Sequence, residues 1–326
     1  MTLLMRSILH SLRATLVAVV LTGLFVGCNK DTVEDNATPK SASDIIQEDA
    51  QFTLLRAAVL RANFGDALKG ANLTIFAPND EAFRTAGYAD IAAVNAVPVA
   101  TLTNILKYHV FNGLIKSDSP QLTTNTPVQP VGGGLAYITK VGSGSAAGVS
   151  INGARVVKAD QEVSNGLVHT IDRLLSPPAT SILGVLQADP TNFSLVVAAI
   201  NRVPALALQL STTATGQAAT IFVPDNAAFA AAGSPLTSLA AISGATQATL
   251  SALLGYHAVQ GLIFSNQLTA GQLATLNPTG AKLTVAVAGG VPTIKGNQNT
   301  TAATVKRADI LTNNGVIHVV SQVLRP

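Results

Sequence analysis

The residues best suited to chemistry in this 326-residue chain are four histidines that follow its amino-terminal segment. His109 and His257 each follow a tyrosine, and His169 and His318 each stand three residues after the glycine of an Asn-Gly pair. Histidine titrates near neutral pH and could act as a general base, a proton shuttle or a metal ligand. An active site built once would not need every histidine repeated at the same motif position. The repetition therefore favours structural histidines held by hydrogen bonds inside the fold.

Other catalytic and cofactor sites have little support. A Ser-His-Asp hydrolase could draw on Asp80 or Asp225 and on many serines, but no Gly-x-Ser-x-Gly nucleophile elbow occurs. The His-x-x-x-His and Cys-x-x-Cys spacings that are typical of metal sites do not occur in the sequence. The glycine-rich runs 132–134 and 142–145 lack the Lys-Ser/Thr ending of a phosphate-binding loop. We therefore expect no catalytic activity, no cofactor and no metal.

Acidic and amide residues recur together at a proline turn. Segment 74–83, Thr-Ile-Phe-Ala-Pro-Asn-Asp-Glu-Ala-Phe, predicts a strand that ends at the proline and continues as a helix. Segment 220–229 repeats this pattern with the order of Asn and Asp exchanged. A catalytic carboxylate would not exchange places with an amide, but a helix N-cap can, because Asp and Asn cap about equally well. We expect Asp80 and Asp225 to cap the helices that follow.

The elements that position these residues are predicted from apolar spacing. The helix before each Tyr-His pair has apolar residues at i, i+3 and i+4 and the histidine at i+7, which places His109 and His257 on its buried face. Short strands are expected over 128–151 and 283–294, and an Asn-Gly turn then leads into the last strand of each half. The pattern predicts mixed α and β structure.

The three motifs occur twice in the same order. The proline turns are 146 residues apart, the Tyr-His pairs 148 and the Asn-Gly pairs 149. This spacing is about one ordinary domain length. We therefore predict two homologous domains, at 44–177 and 178–326, with their boundary in the Ser-Pro-Pro segment 176–178.

Composition excludes several classes of protein. Apolar residues make up 48% of the chain, charged residues 11% and aromatic residues 4%, which indicates folded domains with aliphatic cores. The formal charge of +3 falls by two if the amino-terminal segment is removed, since that segment carries Arg6 and Arg13 and no acidic residue. No cluster of Lys and Arg with interleaved aromatic residues occurs, so nucleic-acid binding is not expected.

The amino terminus has the pattern of an exported lipoprotein. Basic residues precede an apolar run over 14–25 that is too short to span a bilayer comfortably. Residues 25–28, Phe-Val-Gly-Cys, resemble a bacterial lipobox, in which the cysteine is lipidated and becomes the first mature residue. Cys28 is the only cysteine, so it has no partner for an internal disulfide. The resemblance implies a signal peptide over 1–27 and lipidation of Cys28.

Segment 28–43 is polar and has no apolar periodicity, which predicts a flexible tether. Asn29 in place of aspartate indicates that the usual inner-membrane retention signal is absent, as in outer-membrane lipoproteins. Nearby acidic residues resemble export signals that some Gram-negative bacteria use for surface display. The expected location is the outer membrane, facing the cell surface or the periplasm. An uncleaved membrane anchor and an ordinary signal peptide with an incidental cysteine are the alternatives.

The proline-turn block, the Tyr-His pair and the Asn-Gly-x-x-His block, in this order, resemble those of the fasciclin domain, and the resemblance covers nearly all of 44–326 twice. It implies an α+β fold of two tandem fasciclin-like domains, each a wedge-shaped β-sandwich with several α-helices. It also implies a general role in extracellular adhesion. In that family the Tyr-His histidine belongs to a core hydrogen-bond network near the proline turn, and His109 and His257 match its position.

One pair of residues is a candidate partner-binding site. In animal members of the family an Asp-Ile pair just upstream of the final Asn-Gly block is associated with integrin binding, and Asp309-Ile310 matches it. Domain 1 departs from this pattern, with Asp160-Gln161. The alternative is that Asp309 binds turn amides while Ile310 belongs to the core.

The whole sequence predicts a non-catalytic, lipid-anchored surface protein that presents two fasciclin-like domains to a protein or glycan partner. The alternative is a surface lipoprotein that captures a glycan or another small ligand in a cleft. Exposed aromatic platforms would favour that alternative, and Tyr88 and Tyr137 are the candidates.

Overall fold

The computed structural model describes residues 39–141, 148–178, 180–212, 218–231, 234 and 236–326. The predicted signal peptide, Cys28 and the first part of the predicted tether lie outside the described residues. Two consecutive sets of helices and strands follow, which we call domain 1 (up to residue 178) and domain 2 (from residue 180). None of the helices in the described ranges is long and apolar enough to cross a lipid bilayer.

In domain 1, two α-helices precede the first strand and three follow it before the second strand begins. Its helices are α1 (Ala42–Glu48), α2 (Thr53–Arg61), α3 (Asp80–Thr85), α4 (Ile91–Asn95) and α5 (Val99–Tyr108). Its strands are β1 (Leu73–Pro78), β2 (Val110–Asn112), β3 (Thr126–Val128), β4 (Ala136–Val141), β5 (Gly148–Ile151), β6 (Ala154–Val163) and β7 (Gly166–Ile171).

Domain 2 repeats this order of elements. Its helices are α6 (Ile182–Gln187), α7 (Pro190–Asn201), α8 (Pro204–Ser211), α9 (Asn226–Ala230), α10 (Leu239–Gly244) and α11 (Gln247–Tyr256). Its strands are β8 (Ala219–Pro224), β9 (Ala258–Gln260), β10 (Gly271–Ala274), β11 (Lys282–Ala288), β12 (Val291–Lys295), β13 (Ala303–Thr312) and β14 (Gly315–Val320). Helix α8 takes the position in the chain order that a 3-10 turn has in domain 1.

The strands of each domain join in the same order. The order is β2-β1-β7-β6-β5-β4-β3 in domain 1 and β9-β8-β14-β13-β12-β11-β10 in domain 2. Strand β1 is parallel to β7, and β8 is parallel to β14, while the remaining pairs are antiparallel. The long strands β6 and β13 shift register around Asp160 and Asp309, whose φ angles are 53° and 62°. A bulge of this kind bends a strand and redirects its side chains.

The proline-turn segment forms an interior strand, β1 or β8, next to the edge strand of its sheet, because it is apolar along its whole length. All six residues of β1 and all six of β8 are buried. Side chains alternate between the two faces of a strand. In β1, Ile75 packs in a core under the helices, while Phe76 packs in a second core with Tyr108 and Phe111. The predicted strand, proline turn and helix are confirmed in both domains, as is the tandem α+β fold.

The folded part of domain 1 begins before residue 44. Ser41 caps α1 through a capping box with Asp44, and Ala42 is buried. The Lys40 carbonyl accepts a hydrogen bond from the backbone N–H of Ser164. The fold therefore takes in the last residues of the segment that polarity predicts to be a tether, because a capping box is itself polar sequence.

Candidate functional site

His109 and His257 connect the helix before them to the carboxyl-terminal end of their domain. Each is the C-cap of its helix, α5 or α11, and is only 2% exposed. In His109, Nδ1 lies 2.8 Å from the Ile105 carbonyl oxygen and Nε2 lies 3.0 Å from the backbone nitrogen of Leu175. A carbonyl only accepts and a backbone N–H only donates, so Nδ1 carries the proton and Nε2 accepts. His257 makes the corresponding two bonds, both at 2.9 Å.

Burial keeps these two histidines neutral. It lowers the pKa of His109 and of His257 to about 4, and the carbonyl that each ring binds only partly offsets this effect. A second proton would have to sit on Nε2, where it would face the backbone N–H of Leu175 or Leu324. Both ring nitrogens are thus engaged by the backbone, and the predicted burial of the two histidines is confirmed.

His169, in β7, has the opposite tautomer. Its Nδ1 accepts a hydrogen bond from the backbone N–H of Asp160 at 3.1 Å, and its Nε2 donates to the Ile115 carbonyl at 2.8 Å. The ring stacks on Phe76, with centroids 4.9 Å apart. Burial lowers the pKa of His169, and protonation of Nδ1 would oppose the N–H of Asp160.

His318, in β14, repeats these contacts in domain 2. It accepts from the backbone N–H of Asp309 at 3.3 Å and donates to the Ile263 carbonyl at 2.9 Å. Its ring stacks on Phe222, with centroids 5.4 Å apart. Burial lowers its pKa as well, against a smaller opposing effect of the Asp309 carboxylate. The four histidines therefore form two equivalent pairs with equivalent roles in each domain.

The two bulge aspartates hold a loop against the long strand. The Asp160 carboxylate accepts from the backbone N–H of Ser117 at 2.9 Å and from its hydroxyl. The Asp309 carboxylate accepts from the backbone N–H and the hydroxyl of Ser265, at 2.6 and 2.5 Å. The side chain of Asp160 is 33% exposed and that of Asp309 only 3%, because Arg173 of domain 1 pairs with Asp309.

The proline turn of domain 1 uses its two polar residues differently from the prediction. Asn79 is the N-cap of α3 and accepts from the backbone N–H of Ala82 at 2.9 Å. The Asp80 carboxylate instead accepts from the backbone N–H of Leu54, in the first turn of α2, at 2.8 Å. The prediction that Asp80 caps the following helix is therefore wrong.

In domain 2 an aspartate caps the helix and an asparagine binds the neighbouring helix, the reverse of domain 1. Asp225 caps α9 by accepting from the backbone N–H of Ala228 at 2.8 Å, as predicted. Asn226 accepts from the backbone N–H of Leu195, in the second turn of α7, at 3.0 Å. The first position caps a helix and the second ties that helix to its neighbour. Both tasks need only an oxygen acceptor, so Asp and Asn can exchange places.

A buried threonine in β1 and in β8 was not singled out by sequence reasoning. The Thr74 hydroxyl donates to the Gly113 carbonyl at 2.7 Å and accepts from the backbone N–H of Ile115 at 2.9 Å. Thr220 makes the corresponding bonds in domain 2 at 2.7 and 2.8 Å. A polar residue repeated inside an otherwise apolar strand is the signal that could have identified them.

The asparagine of the Asn-Gly pair does more than form a turn. In Asn165, Oδ1 accepts from the backbone N–H of Ala42 at 2.9 Å, and Nδ2 donates to the carbonyls of Leu68 and Gly70 at 2.7 and 2.9 Å. Asn314 makes the corresponding contacts with the start of α6 and the end of α8. The predicted hairpins, β6–β7 and β13–β14, are confirmed.

The domains meet through polar contacts around Asp309. The Arg173 guanidinium of domain 1 pairs with its carboxylate. Gly153, with φ of +79°, lies so close that a Cβ atom there would be 2.5 Å from the Asp309 Cγ atom. Farther along, the Asn125 side chain donates to the Leu262 carbonyl at 2.7 Å. These contacts join one end of domain 1 to the bulge and a loop of domain 2.

The Asp-Ile pair considered for partner binding lies at this contact. The Asp309 carboxylate is engaged by Ser265 and Arg173, and Ile310 is partly buried against the apolar core of domain 2. A partner that bound this carboxylate would have to displace one of those contacts. The partner-binding role of Asp309 and Ile310 stays a prediction.

A cleft of about 670 Å³ lies between the domains beside the Arg173–Asp309 pair. Lys306 and Arg307 of β13 line one wall, and Thr85 and Ser176 of domain 1 contribute to the other. Small-molecule sites have volumes of about 300–1,000 Å³ and occur often at domain contacts. The cleft is therefore large enough for a small ligand.

The other candidate features give no comparable site. In the part of the chain that the structure describes, no group of three or more His, Cys, Asp or Glu side chains is placed to hold a metal ion. Tyr88 packs edge-on against Phe83 at 6.2 Å between ring centroids, and Tyr137 lies 6.3 Å from Phe264 across the domain contact. Both tyrosines are half-buried, so neither presents a fully exposed ring face.

Comparison with known proteins agrees with this architecture. Residues 50–177 and 191–326 each match the Fasciclin domain. The chain is 28% identical over 265 residues to the transforming growth factor-beta-induced protein ig-h3 of Sus scrofa, covering 78% of this chain and 35% of that protein. It is 28% identical over 274 residues to a fasciclin-like arabinogalactan protein of Arthroderma benhamiae, covering 78% of this chain and 59% of that protein. The chain thus spans less than two thirds of the length of these relatives.

Among solved structures, the chain is similar to a FAS1 domain pair from the insect cell adhesion molecule Fasciclin I. The TM-score is 0.39 with 22% identity, over 84% of this chain and 97% of that chain. The two stretches that match the family contain the proline turns, the four histidines and the Asn-Gly pairs whose contacts are described above. The chain therefore belongs to the fasciclin domain family and carries two of its domains in tandem.

Proposed function

We propose that this chain is a non-catalytic interaction protein that presents two fasciclin domains at the cell surface for adhesion to a protein or glycan partner. The observation that carries the proposal is the use of the four histidines. Both ring nitrogens of each bind backbone groups, in the same way in both domains. Groups that are duplicated, buried and bound internally stabilise a fold, which leaves binding to the outer surface.

Lipid anchoring at Cys28 and an outer-membrane location are part of the same proposal. Their support is the sequence pattern of residues 1–28, with its apolar run and terminal cysteine. A single acyl chain gives only marginal membrane binding, whereas the several chains of a bacterial lipoprotein anchor stably. Anchoring would keep both domains at the surface, where adhesion requires them.

The anchor is tested with Cys28→Ser and with globomycin, which blocks lipoprotein signal processing. The variant is expected to lose incorporation of labelled palmitate and to leave the membrane fraction, and globomycin should retain the larger precursor. Lys30→Gln, in the same segment, is the matched control and should be labelled like the unmodified chain. Membrane association and mature size that neither treatment changes would contradict the anchor.

Adhesion is tested with cells that carry or lack the full chain, on surfaces coated with matrix proteins or glycans. Deletion of the chain is expected to reduce attachment to at least one coating, and expression of the full chain should restore it. Cys28→Ser should fail to restore attachment although the domains are made. Equal attachment of the deletion strain to every coating would contradict the adhesion proposal.

The cleft between the domains favours a second candidate function, the capture of a small ligand. Its volume of about 670 Å³ and its charged and hydroxyl-bearing walls suit a polar molecule. A glycan array probed with the purified full chain tests this function separately from adhesion. A bound glycan supports capture, and an array without any bound glycan counts against it.

A further inference from the structure

The charge pattern of the cleft identifies the kind of ligand that fits it. From the geometry we infer that the cleft binds an anionic saccharide, a sugar that bears a carboxylate or a phosphate. The inference rests on the second candidate function, ligand capture, and is independent of the adhesion proposal.

Three cationic side chains line the cleft. Arg173 comes from domain 1, and Lys306 and Arg307 come from β13 of domain 2. Arg173 pairs with Asp309, and the Lys306 ammonium lies 2.6 Å from a carboxylate oxygen of Asp225. Within the described residues, no carboxylate lies within ion-pair distance of the Arg307 guanidinium. Among the three, Arg307 is therefore the cation whose charge no carboxylate of the described residues neutralises.

The cleft offers an anion little repulsion. Asp309 is the carboxylate among its lining residues, and its side chain is 3% exposed. Ser265 and Arg173 already bind both of its oxygens. A guanidinium presents a planar fork of N–H donors that matches the two oxygens of a carboxylate or phosphate. The wall formed by β13 is consequently suited to an oxyanion.

The opposite wall is suited to sugar hydroxyls. Thr85 and Ser176 are exposed and line the cleft, and their hydroxyl groups can both donate and accept. Leu174 adds a half-buried apolar surface to the lining of the cleft. An oxyanion on one side and hydroxyl groups on the other describe a charged sugar better than a free inorganic ion.

The duplicated fold supplies a matched comparison position. Lys158 pairs with Thr170 of β7, the residue directly after His169. Arg307 pairs with Val319 of β14, the residue directly after His318. Lys158 is exposed on domain 1 and does not line the cleft. It has the same place in the fold and the same charge as Arg307, but no second domain faces it.

Isothermal titration calorimetry on the detergent-purified full chain tests the inference with four probes: trigalacturonate, glucose 6-phosphate, uncharged galactotriose and inorganic phosphate. At least one of the two anionic sugars is expected to bind, and binding should weaken as salt is added. Comparison of these two probes distinguishes a carboxylate from a phosphate ligand. Equal affinity for galactotriose or for inorganic phosphate, or no binding of either anionic sugar, would overturn the inference.

The site is located with substitutions at the two matched positions. Arg307→Gln is expected to weaken binding about tenfold or more, because it removes charge-assisted hydrogen bonds. Arg307→Lys should keep part of the affinity, since the charge stays but the fork is lost. Lys158→Gln should bind like the unmodified chain, and thermal melting should show all variants folded. Equal losses in Arg307→Gln and Lys158→Gln would overturn the assignment.

The experiments distinguish a wrong assignment of the binding site from a wrong proposal of ligand capture. A glycan-array signal that survives Arg307→Gln would keep ligand capture and reject the cleft as its site. Attachment of cells that carry Arg307→Gln is expected to equal that of cells with the unmodified chain, so the adhesion proposal is judged by its own assay.

Discussion

Thr170 and Thr74 are buried threonines of the same sheet, but only the hydroxyl of Thr74 is hydrogen-bonded. The Thr74 hydroxyl makes two hydrogen bonds to the backbone. The Thr170 Oγ1 atom is buried and has no partner among the described residues. Domain 2 has Val319 at the corresponding position of β14. A buried hydroxyl without a partner destabilises a fold, and valine has nearly the same shape.

We expect Thr170→Val to raise the free energy of unfolding by about 1 kcal/mol, because it removes an unsatisfied polar group. Thr74→Val is the matched control and should lower it by about 1–3 kcal/mol, since it removes two hydrogen bonds, to the Gly113 carbonyl and from the Ile115 N–H, each worth about 0.5–1.5 kcal/mol. Urea denaturation followed by circular dichroism measures both. A loss of stability in Thr170→Val would mean that its hydroxyl has a partner after all.

The buried histidines make stability sensitive to acid. Burial lowers the pKa of His109 and His257 to about 4 and also lowers those of His169 and His318. In the unfolded chain a histidine has a pKa of about 6.5. As pH falls, the unfolded chain therefore binds protons first, so stability is fully present above about pH 6.5 and decreases between 6.5 and 4. For His109 and His257 the loss is on the order of 3 kcal/mol each.

Urea unfolding at intervals from pH 7.5 to 4.5 measures this dependence. His109→Gln keeps one donor and one acceptor but does not titrate. The variant is expected to be less stable at neutral pH and to lose less stability on acidification than the unmodified chain. Constant stability between pH 7 and 5 would show that the histidines are not held neutral.

At the scale of elements, the last strand of each domain begins with a glycine because the parallel strand beside it, β1 or β8, lies against that residue. A Cβ atom at Gly315 would be 2.0 Å from the Ala219 carbonyl oxygen, and one at Gly166 would be 1.9 Å from that of Leu73. The Asn-Gly pair thus has two separate tasks. Its asparagine binds neighbouring backbone, and its glycine permits the parallel pairing of β7 with β1 and of β14 with β8.

Gly315→Ala is expected to separate the start of β14 from β8 and to lower the free energy of unfolding by more than about 3 kcal/mol. Gly244→Ala, at the end of α10, meets no atom within 4 Å and serves as the control. Its effect should stay within about 1 kcal/mol, and alanine is the better helix former. Thermal melting measures both changes. Equal melting temperatures for the two variants would contradict the close approach of β14 to β8.

The sequence predicts these elements well where spacing or repetition specifies them, as in β1 with its proline and in the helix before His109. It predicts the task of a single polar residue less well. Asn79 and Asp80 carry equivalent acceptors one residue apart, and which of them caps α3 depends on where the first turn of α2 lies in space. That position is a tertiary contact, which local sequence does not specify.

At the scale of the whole molecule, the contact between domains is asymmetric. It joins Arg173, near the carboxyl-terminal end of domain 1, to Asp309 in the bulge of domain 2. Gln322 stands in domain 2 where domain 1 has Arg173, and the Asp160 carboxylate of domain 1 is part exposed. The cleft could not be predicted from the repeat, because it depends on residues in which the two copies differ.

A substitution of Gly153 tests whether the contact at Asp309 holds the two domains together. Alanine there would place a Cβ atom 2.5 Å from the Asp309 Cγ atom, and Ser265 and Arg173 keep that carboxylate from moving aside. Gly290, in the turn between β11 and β12, has the same φ of +79° and meets no atom within 4 Å. Comparison of the two substitutions therefore separates backbone strain from the domain contact.

Both Gly153→Ala and Gly290→Ala should lower stability by about 1 kcal/mol through the left-handed backbone that alanine tolerates poorly. Only Gly153→Ala should also separate the domains, because only its methyl group meets Asp309. Small-angle X-ray scattering is expected to show a larger radius of gyration for that variant and an unchanged one for Gly290→Ala. Identical scattering from both variants would mean that the domains keep their arrangement without close packing of Gly153 on Asp309, and that the walls of the cleft are held by other contacts.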